Sequence, residues 1–295
     1  MGVVASALAV AGAELDVAGA LRDDARPHEL LRFGNALSFS GRHEEARACH
    51  AHSVRLHPGF ADGYFELGEA HRALGEDALA LRAIETGLKL TPHAAHRHRD
   101  HGTMLQGIGR LREARAAYAR ALTWSPSDAD AYFNLGTAHE ASGEYDAALS
   151  AYRSALELDP PDEARVHNNL GGVLLAQGHV EKALAAYAEA VDMDENFADG
   201  RYNLGNALLV AGRHAEAQTQ LRVALKLAPG HPRAERKLEQ VRAAVTRMKQ
   251  EEAEAALELD AVEAAVEACA DDGACLEGRV ARVRERRDAD GPLIV

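Results

Sequence analysis

A proline returns every 34 residues along the middle of this chain, at Pro58, Pro92, Pro126 and Pro160. The beat is missed once, at Glu195, and resumes at Pro229. A fixed step of this length marks a repeat array, in which no unit buries its apolar face alone and each stacks on its neighbours. Six copies can be laid down, with first slots at Pro27, Ala61, Ala95, Ala129, Ala164 and Ala198 and one extra residue near Pro161 and Asp162. The array covers 27–231. The clearest copy runs from Ala129 to Pro160 and reads ADAYFNLGTAHEASGEYDAALSAYRSALELDP. An array grows by adding units, so a length of 295 residues does not by itself count its domains.

Each slot has its own chemistry. Slot eight is Gly34, Gly68, Gly102, Gly136, Gly171 and Gly205. A helical glycine costs about 1 kcal/mol against alanine, so six in one place need a common cause, and close approach of a neighbouring helix supplies it. Slot fifteen is again glycine, from Gly41 to Gly212, where a positive φ can end the first helix of the unit. Slot twenty is always alanine, and slot twenty-seven holds only Ser53, Gly87, Ala121, Ala155, Ala190 and Ala224, which lets helices cross closely. Slot twenty-four is larger, with His50, Ile84, Tyr118, Tyr152, Tyr187 and Leu221, and is expected to fill the space between units. The proline stops the second helix.

This pattern of a large residue, Leu-Gly, then Ala, a large residue, Ala and Pro strongly resembles the tetratricopeptide repeat (TPR) family over about 205 of the 295 residues. The resemblance implies an all-α fold, a right-handed α-solenoid of six helix pairs whose first (A) helices line a concave groove. The family's tryptophan slot holds Leu30, Tyr64, His98, Tyr132, His167 and Arg201, so the third, fifth and sixth units are expected to pack less tightly there.

The flanks read differently. Residues 1–26 contain a helix-like stretch, Ala13 to Leu21, that suits a half-repeat covering the exposed end of the array. Residues 232–250 read as a charged capping helix with Leu238, Val241, Val245 and Met248 as its seam. That spacing continues through Ala255, Leu259, Val262, Val266 and Cys269 into a charged tail, 251–295, as a long helix or coiled coil. A turn at Asp271-Asp272-Gly273 and a last helix from Ala274 to about Arg287 make a helical hairpin the alternative, with the end loose.

Composition narrows the function classes. A net charge of −13 and the lack of a lysine-rich face argue against nucleic acid and for a neutral to basic polypeptide partner. Cys49, Cys269 and Cys275 are too few for a disulfide framework, which points to a cytoplasmic protein. A periplasmic or secreted location is the alternative, because Val3 to Ala13 has the apolar character of a signal peptide, although no basic residue precedes it. The opening MGVVAS also fits an N-myristoylation pattern through Gly2 and Ser6. No segment is long and apolar enough to span a bilayer.

The resemblance assigns slots two, five, six, nine, twelve and thirteen of each A helix to the groove. Slot six is Asn134, Asn169 and Asn203 in the last three units, similar to the asparagine ladder in the superhelix of O-linked N-acetylglucosamine transferase. An asparagine amide pairs with the main chain of an extended peptide whatever its side chains are. Asn168 and Asn206 occupy neighbouring groove slots, and Phe133, Tyr202, Asp130, Asp199 and Arg165 complete the candidate peptide site. Arg32, Glu66 and Asp100 hold slot six in the first three units, which places binding in the C-terminal half. Asparagines paired with each other or with helix ends are the plain alternative. Acids outnumber bases on the groove slots, with Asp62, Glu66, Glu69, Asp100, Asp130, Glu140 and Asp199 against Arg32, Arg72, Arg99 and Arg165. His71, His98 and His101 could share a metal, but they lack the Cys or carboxylate spacing of zinc sites, and packing is the expectation for His98 and His101. No phosphate loop, nucleophile–base pair or Rossmann fingerprint is present, so no catalytic residue and no cofactor is assigned. The expectation is a non-catalytic adaptor that holds an extended peptide. Its rivals are a targeting subunit of a separately encoded enzyme, such as a glycosyltransferase, and a structural spacer that forms a homo-oligomer through its C-terminal helix.

Overall fold

The computed structural model describes residues 21, 22 and 24–267. The expected signal or myristoylation segment, nearly all of the N-terminal half-repeat, Cys269, Cys275 and the last turn and helix lie outside the described residues. Among the described residues there are thirteen helices and no strand. The first five repeats contribute α1 (Pro27–Phe39) and α2 (His43–Leu56), α3 (Ala61–Ala73) and α4 (Asp77–Leu90), α5 (Ala95–Gly107) and α6 (Leu111–Trp124), α7 (Ala129–Ala141) and α8 (Tyr145–Leu156), and α9 (Glu163–Ala176) and α10 (Val180–Met193). The sixth gives α11 (Ala198–Val210) and α12 (His214–Leu227), and α13 (Pro232–Glu267) follows.

The periodic glycines and prolines account for these boundaries. All six glycines of slot fifteen have φ between 73° and 79°, a region closed to most side chains. That turn lets Arg42, Arg110 and Arg213 donate their backbone N–H to the carbonyls of Leu37, Leu105 and Leu208 at 2.8–2.9 Å, closing the end of each A helix. Each second (B) helix stops ahead of the proline slot. Where Glu195 replaces proline, α10 still ends at Met193, and the Asp194 carboxylate accepts from the Asn196 N–H at 2.9 Å in an Asx turn. The extra residue of the fourth repeat falls where α8 ends early, and Asp159 there takes a φ of 49°.

The chain divides into two compact units, one ending at Gln177 and one starting at Gly178, between the two helices of the fifth repeat. In the first four repeats each A helix packs on the B helix of its own repeat, and each B helix on the next A helix. Their core runs through Phe65, Ala80, Ile84, Met104, Leu105, Ala114 and Tyr118. The alanines of slot twenty, Ala46, Ala80, Ala114 and Ala148, have no exposed surface, as close helix crossing requires. Leu21 packs against the core of the first repeat, and His52 and His57 bond the carbonyls of Arg22 and Ala25. Cys49 is fully buried in that core, and burial pushes its thiol up to about 11, so it behaves as a packing residue.

A second link joins repeats in pairs. Arg47 reaches Glu76 at 2.9 Å, and His71 meets the same carboxylate at 2.5 Å. The set recurs 68 residues on, where Glu144 takes Arg115 and His139.

In the second unit α12 packs on α11 and α13 packs on both. Ala234, Leu238 and Val241 are buried, whereas every residue from Thr246 to Ala261 is exposed. The capping helix and the first part of the tail are therefore one continuous helix, whose seam is buried at Leu238 and Val241, half-buried at Val245 and open at Met248 and Leu259. Among the described residues no helix is long and apolar enough to cross a membrane.

Candidate functional site

In the first unit the A-helix face carries two copies of one arrangement, 68 residues apart, with different chemistry. In the first copy the Arg97 guanidinium lies 4.5 Å from the centre of the Phe65 ring, within 3.8–3.9 Å of Asp62, Glu66 and Asp100. Burial pushes the Glu66 carboxyl up, and Arg97 opposes that shift. In the second copy Arg165 stands 5.9 Å over Phe133, but Asn134 and Asn168 replace Glu66 and Asp100. Arg165 pairs instead with Asp162 at 3.0 Å and stays exposed. Asp130 lies 3.5 Å from Arg99, whose guanidinium also holds Asp128 at 2.8 Å.

A tyrosine from the B helix forms the floor of the second copy. Tyr152 packs 5.9 Å from Phe133 and donates its hydroxyl to Glu140 at 2.6 Å. The same hydroxyl is hydrogen bonded by Asn169, and Asn168 donates to the Asn169 oxygen at 3.3 Å. Burial pushes the Glu140 carboxyl up and the Tyr152 phenol far up. One repeat earlier Tyr118 donates to Gln106 at 3.0 Å, Gln106 to Thr137 at 3.1 Å, and Thr137 to the Asn134 carbonyl at 2.8 Å. The Asn134 side chain is half-buried and makes no hydrogen bond among the described residues. The ladder asparagines of this unit therefore differ: Asn169 spends part of its amide on the protein, and Asn134 spends none.

In the second unit Asn203 is half-buried with a partner of its own, and Asn206 is half-buried beside it on the same helix. Tyr202 stacks on His231 with ring centres 5.1 Å apart. His231 accepts the Ala234 N–H through Nδ1 at 3.1 Å, which caps α13, and its Nε2 donates to Asp199 at 3.2 Å.

The family model of the tetratricopeptide repeat matches residues 31–95, 99–163 and 168–232, about two thirds of the chain. The chain belongs to the tetratricopeptide repeat family. It is 30% identical over 142 residues to mouse (Mus musculus) protein O-mannosyl-transferase TMTC1, a stretch that covers 47% of this chain and 15% of that protein. Among solved structures it is similar to PilF of Pseudomonas aeruginosa at a TM-score of 0.60 and 17% identity, covering 74% of this chain and 97% of that one. YrrB, described as a TPR protein with an unusual peptide-binding site, matches at a TM-score of 0.51 and 22% identity over 63% of this chain and 95% of its own.

His98 and His101 of this TPR array are packing residues. His98 is 6% exposed and bonds the Pro92 carbonyl at 2.9 Å, while His101 is 8% exposed with both ring nitrogens buried and unbonded. Burial pushes the His101 imidazole down, keeping it neutral. His71 is committed to Glu76, and no three potential ligands converge among the described residues. The buried His98 corrects one expectation: the third TPR is as closed at its tryptophan slot as the first, where Leu30 is buried, because the histidine carries its own backbone acceptor. At slot twenty-four the side chain lies over the slot-eight glycine of its own repeat, and the Tyr152 hydroxyl also meets Asn169 of the next. A tyrosine at slot twenty-four followed by an asparagine at slot six of the next repeat marks Tyr152 and Asn169 in the sequence, but Tyr118 and Asn134 share that pattern while the Tyr118 hydroxyl turns to Thr103 and Gln106 of its own repeat.

Proposed function

We propose that this TPR protein is a non-catalytic adaptor that holds an extended segment of a polypeptide partner along its A-helix face. In the first unit the stretch from Phe133 to Asn169 serves as the main site. One observation carries the reading: Asn134 presents a half-buried amide without a hydrogen bond among the described residues, on the same stretch as the Phe133 ring. A half-buried amide of this kind is set to exchange hydrogen bonds with a peptide main chain, and a preformed helix face lowers the ordering cost of capture. Within the second unit Asn203, which already has a partner, and Asn206 add two half-buried amides on one helix. The description of YrrB as peptide-binding accords with this use of the fold.

Peptides recovered from a random library on the immobilised chain test the reading. Replacing Asn134, Asn169 and Asn203 by alanine should weaken their binding about tenfold or more, with helicity by circular dichroism retained. Equal affinity in the triple variant removes the asparagines from the site.

The similarity to mouse TMTC1 favours one other reading, in which the array is a binding arm for a glycosyltransferase encoded separately. Sugar-transfer activity that copurifies with the chain, and is lost with the triple variant, would support it. A preparation without such activity would oppose it.

A further inference from the structure

Six acids stand on groove slots of the first unit, and five have a cation beside them. Asp62, Glu66 and Asp100 share Arg97, Glu69 holds Arg72 at 2.5 Å, and Asp130 lies near Arg99. Glu140 has none among the described residues. Its half-buried carboxylate takes the Tyr152 hydroxyl on Oε2, and that is its one hydrogen bond. Taking a carboxylate out of water without a counter-ion is costly.

The charge is not needed for the packing. Gln106 fills the same slot one repeat earlier, and its neutral amide oxygen accepts the Tyr118 hydroxyl at 3.0 Å. A glutamine at 140 would serve Tyr152 equally well. Glu140 is also joined through the Tyr152 hydroxyl to Asn169 on α9, and Phe133 packs on the same tyrosine ring. An unneutralised carboxylate, an aromatic ring and two main-chain-reading amides thus share one short stretch of the A-helix face.

We propose that Glu140 receives a lysine or arginine side chain of the bound peptide, whose aliphatic stem lies along Phe133 while Asn134 and Asn169 hold its main chain. The inference rests on the peptide-binding reading above and fixes the charge of the partner at one position. An amphipathic cationic side chain meets both demands of the site, apolar contact for the stem and a counter-ion for the head.

The test selects a phage-displayed random dodecapeptide library on the full chain and measures synthetic copies of the recovered peptides by fluorescence polarisation. The peptides should share a Lys or Arg at one position. Changing that residue to Gln should weaken binding to the wild type about tenfold and leave binding to Glu140→Gln unaltered, the coupling expected of a direct pair. The melting temperature of Glu140→Gln should equal or exceed that of the wild type, because the tyrosine bond is kept. Peptides that lose binding to an Asn134→Ala, Asn169→Ala double variant, yet bind Glu140→Gln as well as wild type, overturn the role of Glu140 and leave the groove standing. Peptides indifferent to all three changes, or a selection without binders, overturn the groove and this inference together.

Discussion

The ring of Tyr152 occupies the space that a side chain on Gly136 would need. A Cβ built on Gly136 would stand 2.6 Å from both Cδ1 and Cε1 of that ring. The ring cannot easily retreat, since Glu140 and Asn169 both hold its hydroxyl. The same pairing recurs as Gly102 with Tyr118, Gly68 with Ile84, Gly34 with His50 and Gly205 with Leu221. Packing thus explains these five glycines of the slot, and the tyrosine beside Gly136 also builds the floor of the candidate site.

Gly136→Ala should therefore destabilise the array despite alanine's better helix propensity. Overpacking costs about 1–3 kcal/mol and the propensity gain returns at most about 1 kcal/mol. Gly205→Ala meets the more adaptable Leu221, with its nearest atom at 2.9 Å, and should cost less. Thermal melts followed by circular dichroism check the order, and adding Tyr152→Leu to Gly136→Ala should recover part of the loss. Equal melting temperatures for wild type and Gly136→Ala would remove the steric explanation.

The helix boundaries were legible because glycine with positive φ and proline act locally, through backbone geometry that one residue decides. The slot-eight glycines were legible as a packing need, but the agent was not, because whether a helix, a ring or an isoleucine fills the gap depends on which face the B helix turns inward. The candidate site was legible only in part. Slot position placed Asn134 and Asn169 on the A-helix face, yet the partner of Asn169 is Tyr152, on another helix and 17 residues away. Charge counting read Asp62, Glu66 and Asp100 as a basic-seeking surface, whereas Arg97, on the same A helix as Asp100 and facing Asp62 and Glu66 of the preceding one, already offsets part of their charge. The 68-residue echo of Arg47, His71 and Glu76 in Arg115, His139 and Glu144 was visible in the letters, but only contact between repeats gives it meaning.

Stability should fall with pH because of His50. It replaces the tyrosine or aliphatic residue of other repeats at a fully buried position, its Nδ1 has no partner, and burial drops its pKa from about 6.5 to about 4. The folded protein thus stays unprotonated where the unfolded chain takes up a proton. Stability is full above pH 6.5 and is lost progressively towards pH 4, at up to about 1.4 kcal/mol per pH unit. His101, also lowered, adds to the same window. Glu45, Glu113 and Glu144 have pKa values lowered below 4.5, so what they contribute is lost only at more acid pH. Melting temperatures between pH 7 and pH 5 should fall in the wild type and fall less in His50→Tyr, which copies the pairing of Tyr118 with Gly102. A slope unchanged by His50→Tyr would assign the pH dependence elsewhere.

Asp128 joins two repeats through one carboxylate. Its Oδ1 accepts the Ala131 N–H at 2.9 Å and caps α7, and both oxygens receive Arg99 from α5 at 2.8 Å. Asp128→Ala removes the cap and the charged bonds together and leaves Arg99 with only the more distant Asp130. The loss should come to about 1–3 kcal/mol. Asp128→Asn keeps an oxygen for the Ala131 N–H and gives up the charge, so its loss should be smaller. Urea unfolding orders the two variants, and amide hydrogen exchange at Ala131 separates the causes: it should quicken in Asp128→Ala and stay near wild type in Asp128→Asn. Exchange that quickens equally in both would mean that the link to Arg99, and not the cap, holds the start of α7.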